Sequence, residues 1–268
     1  MLTANNLPLD SIVCGDNVAT LATFPDASID LVVTSPPYDN LRTYGGHSWD
    51  FEGVAQQLWR VIKPGGVVAW VVADATVNGS ETGTSFRQAL RFMDIGFRLH
   101  DTMIYEKAQV SFPDTRRYLS VWEFMFVLAK GSPESFNGIT KVNERAGTPI
   151  YGRERTSGDE LQLASLTRKR PDRSLLRNVW KYQTGKDGCD AAAYGHPAVF
   201  PEALARDHIL SWSNEGDIVL DPFSGSGTTA KMARLMGRRF IGIEVNAEYC
   251  EIARKRLAQK LLEFDNVV

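Results

Sequence analysis

The feature that most constrains the fold is a glycine-rich turn close to the end of the 268-residue chain. Residues Asp217–Ala230 predict a strand, then this turn, then a helix. Small residues let the backbone approach a ligand closely, and the first N–H groups of a helix are unpaired. A second strand, Arg239–Ile243, leads to Glu244, where an acid can hold the hydroxyls of a ribose. This part of the chain therefore predicts a site for a nucleoside-bearing cofactor.

The position of this unit decides the topology. Only 24 residues follow Glu244, whereas a doubly wound sheet needs several βα units. Strands earlier in the chain must complete the sheet, and the predicted fold class is α/β with a doubly wound, mostly parallel sheet. The spacing of Gly225, Gly227 and Ala230 also fits a dinucleotide fingerprint, so an NAD-dependent oxidoreductase is an alternative. The short stretch after Glu244 disfavours it, since a dehydrogenase continues from its glycine turn with further βα units.

A second feature is the short apolar run Leu31–Val33, which ends in Ser35-Pro36-Pro37-Tyr38. Proline cannot donate to a sheet ladder and fixes φ at about −65°, so the two prolines predict a rigid turn at the carboxyl end of a buried strand. Open α/β sheets bind their ligands at that end. The turn presents a hydroxyl, unpaired carbonyls and an aromatic face. These groups suit a flat substrate that carries an amino group.

Composition excludes several other classes of protein. The apolar fraction of 43% is ordinary for a globular chain, and no apolar run approaches the length of a membrane span. The amino-terminal residues lack the pattern of a signal peptide. Three scattered cysteines argue against disulfides and a zinc cluster, and four histidines without ligand spacing argue against a metal. We therefore expect a cytoplasmic protein without a metal site or a membrane partner.

The charge of the chain is unevenly distributed. Residues 141–186 hold eleven basic and five acidic side chains, a net +6 in a chain whose total is −2. A basic segment on an acidic body favours contact with a polyanion, and the alternative is a solvated loop with surface lysines and arginines. The residues that we predict to contact nucleic acid are Arg153, Arg155, Arg168, Lys169, Arg170, Arg173 and Arg177.

The motif Thr34–Tyr38, followed far downstream by Asp221–Thr229, resembles the β class of bacterial or phage DNA amino-methyltransferases. In that family the catalytic motif precedes the target-recognition region, which precedes the S-adenosylmethionine motif. The resemblance extends over nearly the whole chain. Residues 15–16 are similar to the family's adenine-binding acid motif, and His196–Pro201 to the segment that lines the cofactor pocket. Phe200 departs from the pattern, since the family more often has lysine there.

The resemblance implies a seven-stranded, mostly parallel sheet, S-adenosylmethionine as methyl donor and double-stranded DNA as substrate. The target base would be flipped out of the duplex, because its amine is paired and inaccessible inside the helix. It divides the chain into a catalytic half (1–130), an inserted target-recognition region (131–190) and a cofactor-binding half (191–268). The resemblance leaves two further partners open, a second copy of the chain in a homodimer and a cognate restriction endonuclease. It also implies a bacterial or phage protein.

The resemblance also assigns roles to single residues. We expect Ser35 Oγ and the Pro36 carbonyl to accept the two amine hydrogens, and Tyr38 to stack on the base. No cysteine follows a proline, so nothing resembles the nucleophile used for methylation of a ring carbon. The expected cofactor contacts are Asp16, His196, Phe200, Asp221, Pro222, Phe223, Ser224, Gly225, Ser226, Gly227, Thr228, Thr229, Glu244 and Asn246.

Some interpretations have alternatives. Asp16 fits a helix N-cap as well as an adenine contact, and His47 and Trp49 fit surface packing as well as a loop that closes over the substrate. Serine before the double proline is more similar to the N4-cytosine members, so we expect methylation of cytosine N4, with adenine N6 as the alternative. A protein or RNA methyltransferase and an inactive DNA-binding module are further rivals.

Overall fold

The computed structural model describes residues 7–38, 49–108, 117–150, 153–155, 161–163, 169–190 and 200–259. The predicted site residues Arg168 and His196, and also His47, lie outside these ranges. None of the helices in the described ranges combines the length and the apolar character that a membrane span requires.

Helices and strands alternate at both ends of the described chain, whereas its middle part consists mostly of strands. The helices are α1 (Asn17–Ala22), α2 (Phe51–Val61), α3 (Thr84–Ile95), α4 (Glu202–Trp212), α5 (Thr228–Leu235) and α6 (Ala247–Ala258). The strands are β1 (Ser11–Cys14), β2 (Ile29–Thr34), β3 (Ile62–Val72), β4 (Thr76–Val77), β5 (Ser80–Glu81), β6 (Arg98–Lys107), β7 (Trp122–Ala129), β8 (Thr140–Val142), β9 (Arg153–Arg155), β10 (Leu161–Leu163), β11 (Arg173–Leu175), β12 (Val179–Tyr182), β13 (Ile218–Asp221) and β14 (Arg239–Glu244).

One large sheet organises the fold. Its strands lie in the order β1-β14-β13-β2-β3-β7-β6-β12, and neighbours pair in parallel except at β7, which is antiparallel to β3 and β6. The late unit β13-α5-β14 lies between β1 and β2, so strands from earlier in the chain complete the sheet. The predicted α/β class with a mostly parallel sheet is confirmed.

The sheet has eight strands where the resemblance implies seven. The additional strand is β12, which pairs in parallel with β6. It comes from the stretch 131–190 that we predicted to be an insert. Only Trp180 is buried in it, so the apolar run that marks a central parallel strand is absent from its sequence.

Buried strands and amphipathic helices form the core. Val32, Val68 and Leu220 lie on three neighbouring strands and are fully buried, as the apolar runs of a parallel sheet require. Helix α2 buries Val54 and Leu58, which share one helical face, against this sheet. The strands that carry the two sequence motifs are therefore buried in the middle of the large sheet.

Residues 138–177 form a second compact unit, separate from the unit that contains the large sheet. It holds two short antiparallel pairs, β8 with β11 and β9 with β10. The predicted region 131–190 therefore includes residues from both units. That this unit recognises the DNA target stays a prediction.

Candidate active site

The two sequence motifs leave the sheet side by side. Strands β2 and β13 pair in parallel, with Val219 opposite Leu31 and Leu220 opposite Val32. Thr34 Oγ1 donates a hydrogen bond of 2.6 Å to Asp221 Oδ1 just beyond these pairs. Because the carboxyl ends of neighbouring parallel strands meet at one edge, the Ser-Pro-Pro-Tyr turn and the glycine turn begin at adjacent points. This adjacency is what transfer of a group between two ligands requires.

Asp221 is the buried centre of this junction. Its Oδ1 accepts from Thr34 and also from the Phe223 N–H at 3.0 Å. Burial raises the pKa of Asp221 to about 6, although both hydrogen bonds favour its charged form. A second bond across the junction, from Thr229 Oγ1 to the Val33 carbonyl at 3.1 Å, holds helix α5 against β2.

Replacing Asp221 with asparagine should change how stability depends on pH. The pKa of Asp221 is raised in the folded chain from 3.8 to about 6, so ionising it costs more in the folded than in the unfolded state. The stabilising contribution of the neutral acid is complete below the ordinary pKa and is lost as the pH rises through 6. Between pH 4 and 7 the free energy of unfolding of the wild type should fall relative to Asp221→Asn by up to about 3 kcal/mol. Urea unfolding at several pH values measures this difference, and a constant difference would contradict the shift.

The glycine turn is shaped by backbone geometry and by Glu244. Gly225 and Gly227 have φ of +50° and +78°, a region that side chains disfavour. The Gly225 N–H donates to Glu244 Oε2 at 2.9 Å, and the Asn246 N–H donates to the other carboxylate oxygen at 2.8 Å. Ser224 Oγ lies against Gly242, where an added Cβ would come within 2.5 Å of it. The Ser224 side chain therefore points towards the sheet, and the backbone of the turn is left to face a ligand.

A buried arginine that the sequence analysis missed supports this turn from behind. The Arg256 side chain is fully buried, and its Nη1 donates to the Ser226 carbonyl at 2.6 Å. Its Nη2 donates to Glu202 Oε1 at 2.8 Å and its Nε to Asp190 Oδ1 at 3.0 Å. Lys231 contacts the same two acids. The spacing from buried Cys250 and Ala253 places Arg256 on the inward face of α6, which is the signal that could have revealed it.

The predicted adenine and ribose contacts lie next to one another. Strand β1 pairs in parallel with β14, and the Gly15 N–H donates to the Glu244 carbonyl at 2.9 Å. Asp16, the next residue, is exposed and its Oδ1 accepts from the Ala19 N–H at 2.8 Å. The structure thus shows Asp16 as the N-cap of α1. Asn246 caps α6 in the same way, accepting from the Glu248 N–H at 2.8 Å.

Aromatic side chains cover the start of the glycine turn. The Phe223 ring lies 4.9 Å from Trp49 in an edge-to-face arrangement and 6.2 Å from Trp70. Trp49 also packs against Phe51, so in this structure it belongs to the packing around Phe223. The Pro222 carbonyl accepts a hydrogen bond from the side chain of Asn17. Among the remaining predicted contacts, Phe200 is half-buried just before α4.

The Ser-Pro-Pro-Tyr turn carries a chain of polar groups that extends to a third strand. Ser35 Oγ and the Tyr38 hydroxyl are 2.7 Å apart, and the Tyr38 hydroxyl donates to Glu123 Oε2 at 2.8 Å. Lys107 Nζ lies 2.6 Å from the other oxygen of Glu123. Pro36 is buried, and no described residue donates a hydrogen bond to its carbonyl. Sequence reasoning missed Glu123, whose only signal is an acid within the otherwise apolar strand β7.

The described residues among the predicted DNA contacts all lie in the second compact unit. Lys169, Arg173 and Arg177 are exposed, and Arg170 is half-buried. Arg173 Nε donates to Thr140 Oγ1 at 2.7 Å across the β8–β11 pair. Arg153 and Arg155 lie on β9. Within the described ranges no group of three or more histidine, cysteine, aspartate or glutamate side chains is arranged to hold a metal.

Comparison with known proteins agrees with this arrangement. Residues 29–255 match the model of the N6/N4 methyltransferase family, described as DNA methylase. The orphan methyltransferase M.BamHII of Bacillus amyloliquefaciens is 51% identical over 245 residues, which cover 88% of this chain and 91% of that protein. The DNA adenine methyltransferase YhdJ of Escherichia coli K12 is 29% identical and covers 92% of this chain and 82% of its own length.

Solved structures show the same fold. A DNA modification methylase from Thermus thermophilus, in complex with S-adenosyl-L-methionine, is 26% identical with a TM-score of 0.63 over 95% of each chain. The cytosine-N4-specific PvuII DNA methyltransferase has a TM-score of 0.67 over 94% of this chain and 87% of its own, at 22% identity. The predicted family, its DNA methyltransferase activity and its S-adenosylmethionine cofactor are confirmed. The chain therefore belongs to the N6/N4 family of DNA methylases.

Proposed function

We propose that this enzyme methylates the exocyclic N4 of a cytosine flipped out of duplex DNA, within a specific sequence. The observation that carries the proposal is the hydrogen bond between Thr34 and Asp221. It joins the strand of the Ser-Pro-Pro-Tyr turn to the strand of the glycine turn, so an amine held at one turn lies beside a cofactor held at the other.

The glycine turn fits the cofactor. When bound, S-adenosylmethionine supplies a methyl group carried on a positively charged sulfur. Gly225 and Gly227 leave the turn without side chains, and Glu244 at the end of β14 offers carboxylate oxygens to ribose hydroxyls. The Asp221 and Glu244 carboxylates also provide negative charge near a cationic ligand. Asp16 would accept from the adenine amine, and Phe223 would contact the methionine and ribose side.

The Ser-Pro-Pro-Tyr turn suits an aromatic amine. The lone pair of such an amine is delocalised into the ring, which makes the nitrogen a weak nucleophile. Acceptors for both of its hydrogens draw the nitrogen towards a tetrahedral shape and localise that pair. Ser35 Oγ and the Pro36 carbonyl provide two acceptors on a backbone that the prolines stiffen, so the enzyme fixes their direction in advance. Tyr38 adds an aromatic face that favours the positive charge developing on the amine.

The choice between cytosine and adenine rests on Ser35. The resemblance associates serine at this position with N4-cytosine members, and the fold is shared with the cytosine-N4-specific PvuII enzyme. The relative YhdJ, named a DNA adenine methyltransferase, supports adenine N6 as the second candidate. Incubation of unmethylated duplex DNA with the enzyme and labelled cofactor, followed by mass spectrometry of the nucleosides, tests the proposal. N4-methylcytosine is the expected product, whereas N6-methyladenine alone would refute the cytosine assignment.

Neutralising the basic second unit should weaken DNA binding and its response to salt. We expect Arg173→Gln with Arg177→Gln to lower duplex affinity about tenfold and to reduce the slope of log K against log salt by about 2, one for each lost phosphate contact. Titrations of labelled duplex at several salt concentrations measure both. Arg239→Gln is the matched control, since Arg239 is an exposed arginine on β14, in the unit that contains the large sheet. An unchanged salt slope in the double variant would remove these arginines from the docking surface.

Other predictions concern partners and setting. The named relatives come from bacteria, which supports a bacterial or phage enzyme that works in the cytoplasm. A second copy of the chain and a cognate restriction endonuclease stay predictions drawn from the resemblance.

A further inference from the structure

The hydrogen bonds at the Ser-Pro-Pro-Tyr turn are all donated in one direction, and Glu123 determines that direction. A carboxylate can only accept hydrogen bonds, so the Tyr38 hydroxyl uses its single hydrogen on Glu123 Oε2 at 2.8 Å. The 2.7 Å contact between Tyr38 and Ser35 must then be made with the hydrogen of Ser35. Every other hydrogen bond of Ser35 Oγ can only be one in which that oxygen accepts. An acceptor is the group that a substrate amine needs.

The surroundings of Glu123 hold the carboxylate in place. Its side chain is 13% exposed, and the Lys107 ammonium lies 2.6 Å from Oε1, so one oxygen faces the lysine and the other faces Tyr38. Tyr105 lies opposite Glu123 on β6. Burial and, after it, the negative charge of Glu123 raise the pKa of Tyr105, so Tyr105 stays a protonated neighbour of Glu123.

We propose that Glu123 is a positioning residue for methyl transfer: through Tyr38 it fixes the Ser35 hydroxyl as a hydrogen-bond acceptor that faces the substrate amine. The inference rests on the proposed function of the turn and adds a residue from a distant strand, 85 positions from Tyr38 in the chain. Lys107 supports the same arrangement by engaging the second carboxylate oxygen. The Tyr38 hydroxyl thus has a role beside the stacking role of its ring.

Replacing Glu123 with glutamine should reverse the direction in which these hydrogen bonds are donated, with little change in the shape of the side chain. Lys107 attracts the amide oxygen, so the amide NH₂ faces Tyr38 and donates to its hydroxyl. Tyr38 then donates to Ser35, which takes one of the two lone pairs of Ser35 Oγ and leaves the Ser35 hydrogen free to turn towards the substrate amine. We expect Glu123→Gln to lower the single-turnover rate of methyl transfer about tenfold to a hundredfold, with KM for the duplex and affinity for S-adenosylmethionine within about twofold of wild type.

Tyr38→Phe provides the test that separates positioning from a structural role. Without the hydroxyl, Glu123 has no path to Ser35, so Glu123→Gln should change the rate by less than about twofold in the Tyr38→Phe background. Equal effects in both backgrounds, or a normal rate in the single Glu123→Gln variant, would overturn the proposal.

Glu106→Gln is the control, because it removes an exposed ion pair with Lys181 on the neighbouring strands. A wild type that methylates neither base would refute the proposed function together with this role, whereas an active wild type with an unaffected Glu123→Gln would refute the role alone.

Discussion

Replacing Gly227 with valine should abolish cofactor binding. Gly227 has φ of +78°, a conformation that costs an L side chain about 1–2 kcal/mol. An added Cβ would also come within 2.9 Å of Ala253 Cβ and 3.3 Å of its Cα, which belong to α6. That helix cannot move freely, because buried Arg256 ties it to the same turn. A branched side chain at this position must therefore displace the turn whose backbone we propose to face the cofactor.

Isothermal titration with S-adenosylmethionine measures this effect, and we expect the affinity to fall at least about a hundredfold. Gly216→Val is a matched control, since Gly216 has φ of +84° with no atom within 4 Å of the added Cβ. The control should lose stability from backbone strain alone and keep its affinity for the cofactor. Normal affinity in a folded Gly227→Val variant would place the cofactor elsewhere.

The order of the motifs was sufficient to predict where the glycine unit lies in the sheet. The glycine unit comes after the other strands predicted from the sequence, so those strands were expected to flank it, and β13 and β14 do lie between β1 and β2. The paired strands β2 and β13 were also predictable, since both read as continuous apolar runs that end in a turn. The direction of β7 was not predictable, because an apolar strand looks the same whichever way it pairs.

The parts of the site that sequence could not provide are long-range contacts between polar side chains. Glu123 lies in an apolar strand, and nothing near it in the sequence links it to Tyr38. Arg256 is a charged residue in a helix with several others, and charged side chains are rarely buried unless they are paired. Its partners Asp190 and Glu202 are distant in the sequence, so only the folded chain shows the pairing. Conversely, the sequence allowed two interpretations of Asp16, and the structure shows this residue as the N-cap of α1.

Replacing Ser35 with alanine should lower turnover about a hundredfold or more, the usual cost of losing one preorganised polar contact in a transition state. The amine would keep the Pro36 carbonyl as an acceptor but would lose the second, so its lone pair would be less localised. Affinity for S-adenosylmethionine should change little, because the proposed cofactor site at the glycine turn and Glu244 lies on other strands. Single-turnover methyl transfer and cofactor titration measure the two quantities separately.

Two comparisons test this prediction further, one with a control variant and one with a double variant. Ser28→Ala is the control, since Ser28 precedes the same strand at its opposite end and its hydroxyl bonds the Pro25 carbonyl. The rate of Ser28→Ala should match that of the wild type, and an unchanged rate in Ser35→Ala would remove Ser35 from the mechanism.

The second comparison uses Glu123→Gln in the Ser35→Ala background. Glu123 acts only through the Ser35 hydroxyl, so the added substitution should have almost no effect once that hydroxyl is gone. A large further loss would mean that Glu123 reaches the substrate by another path.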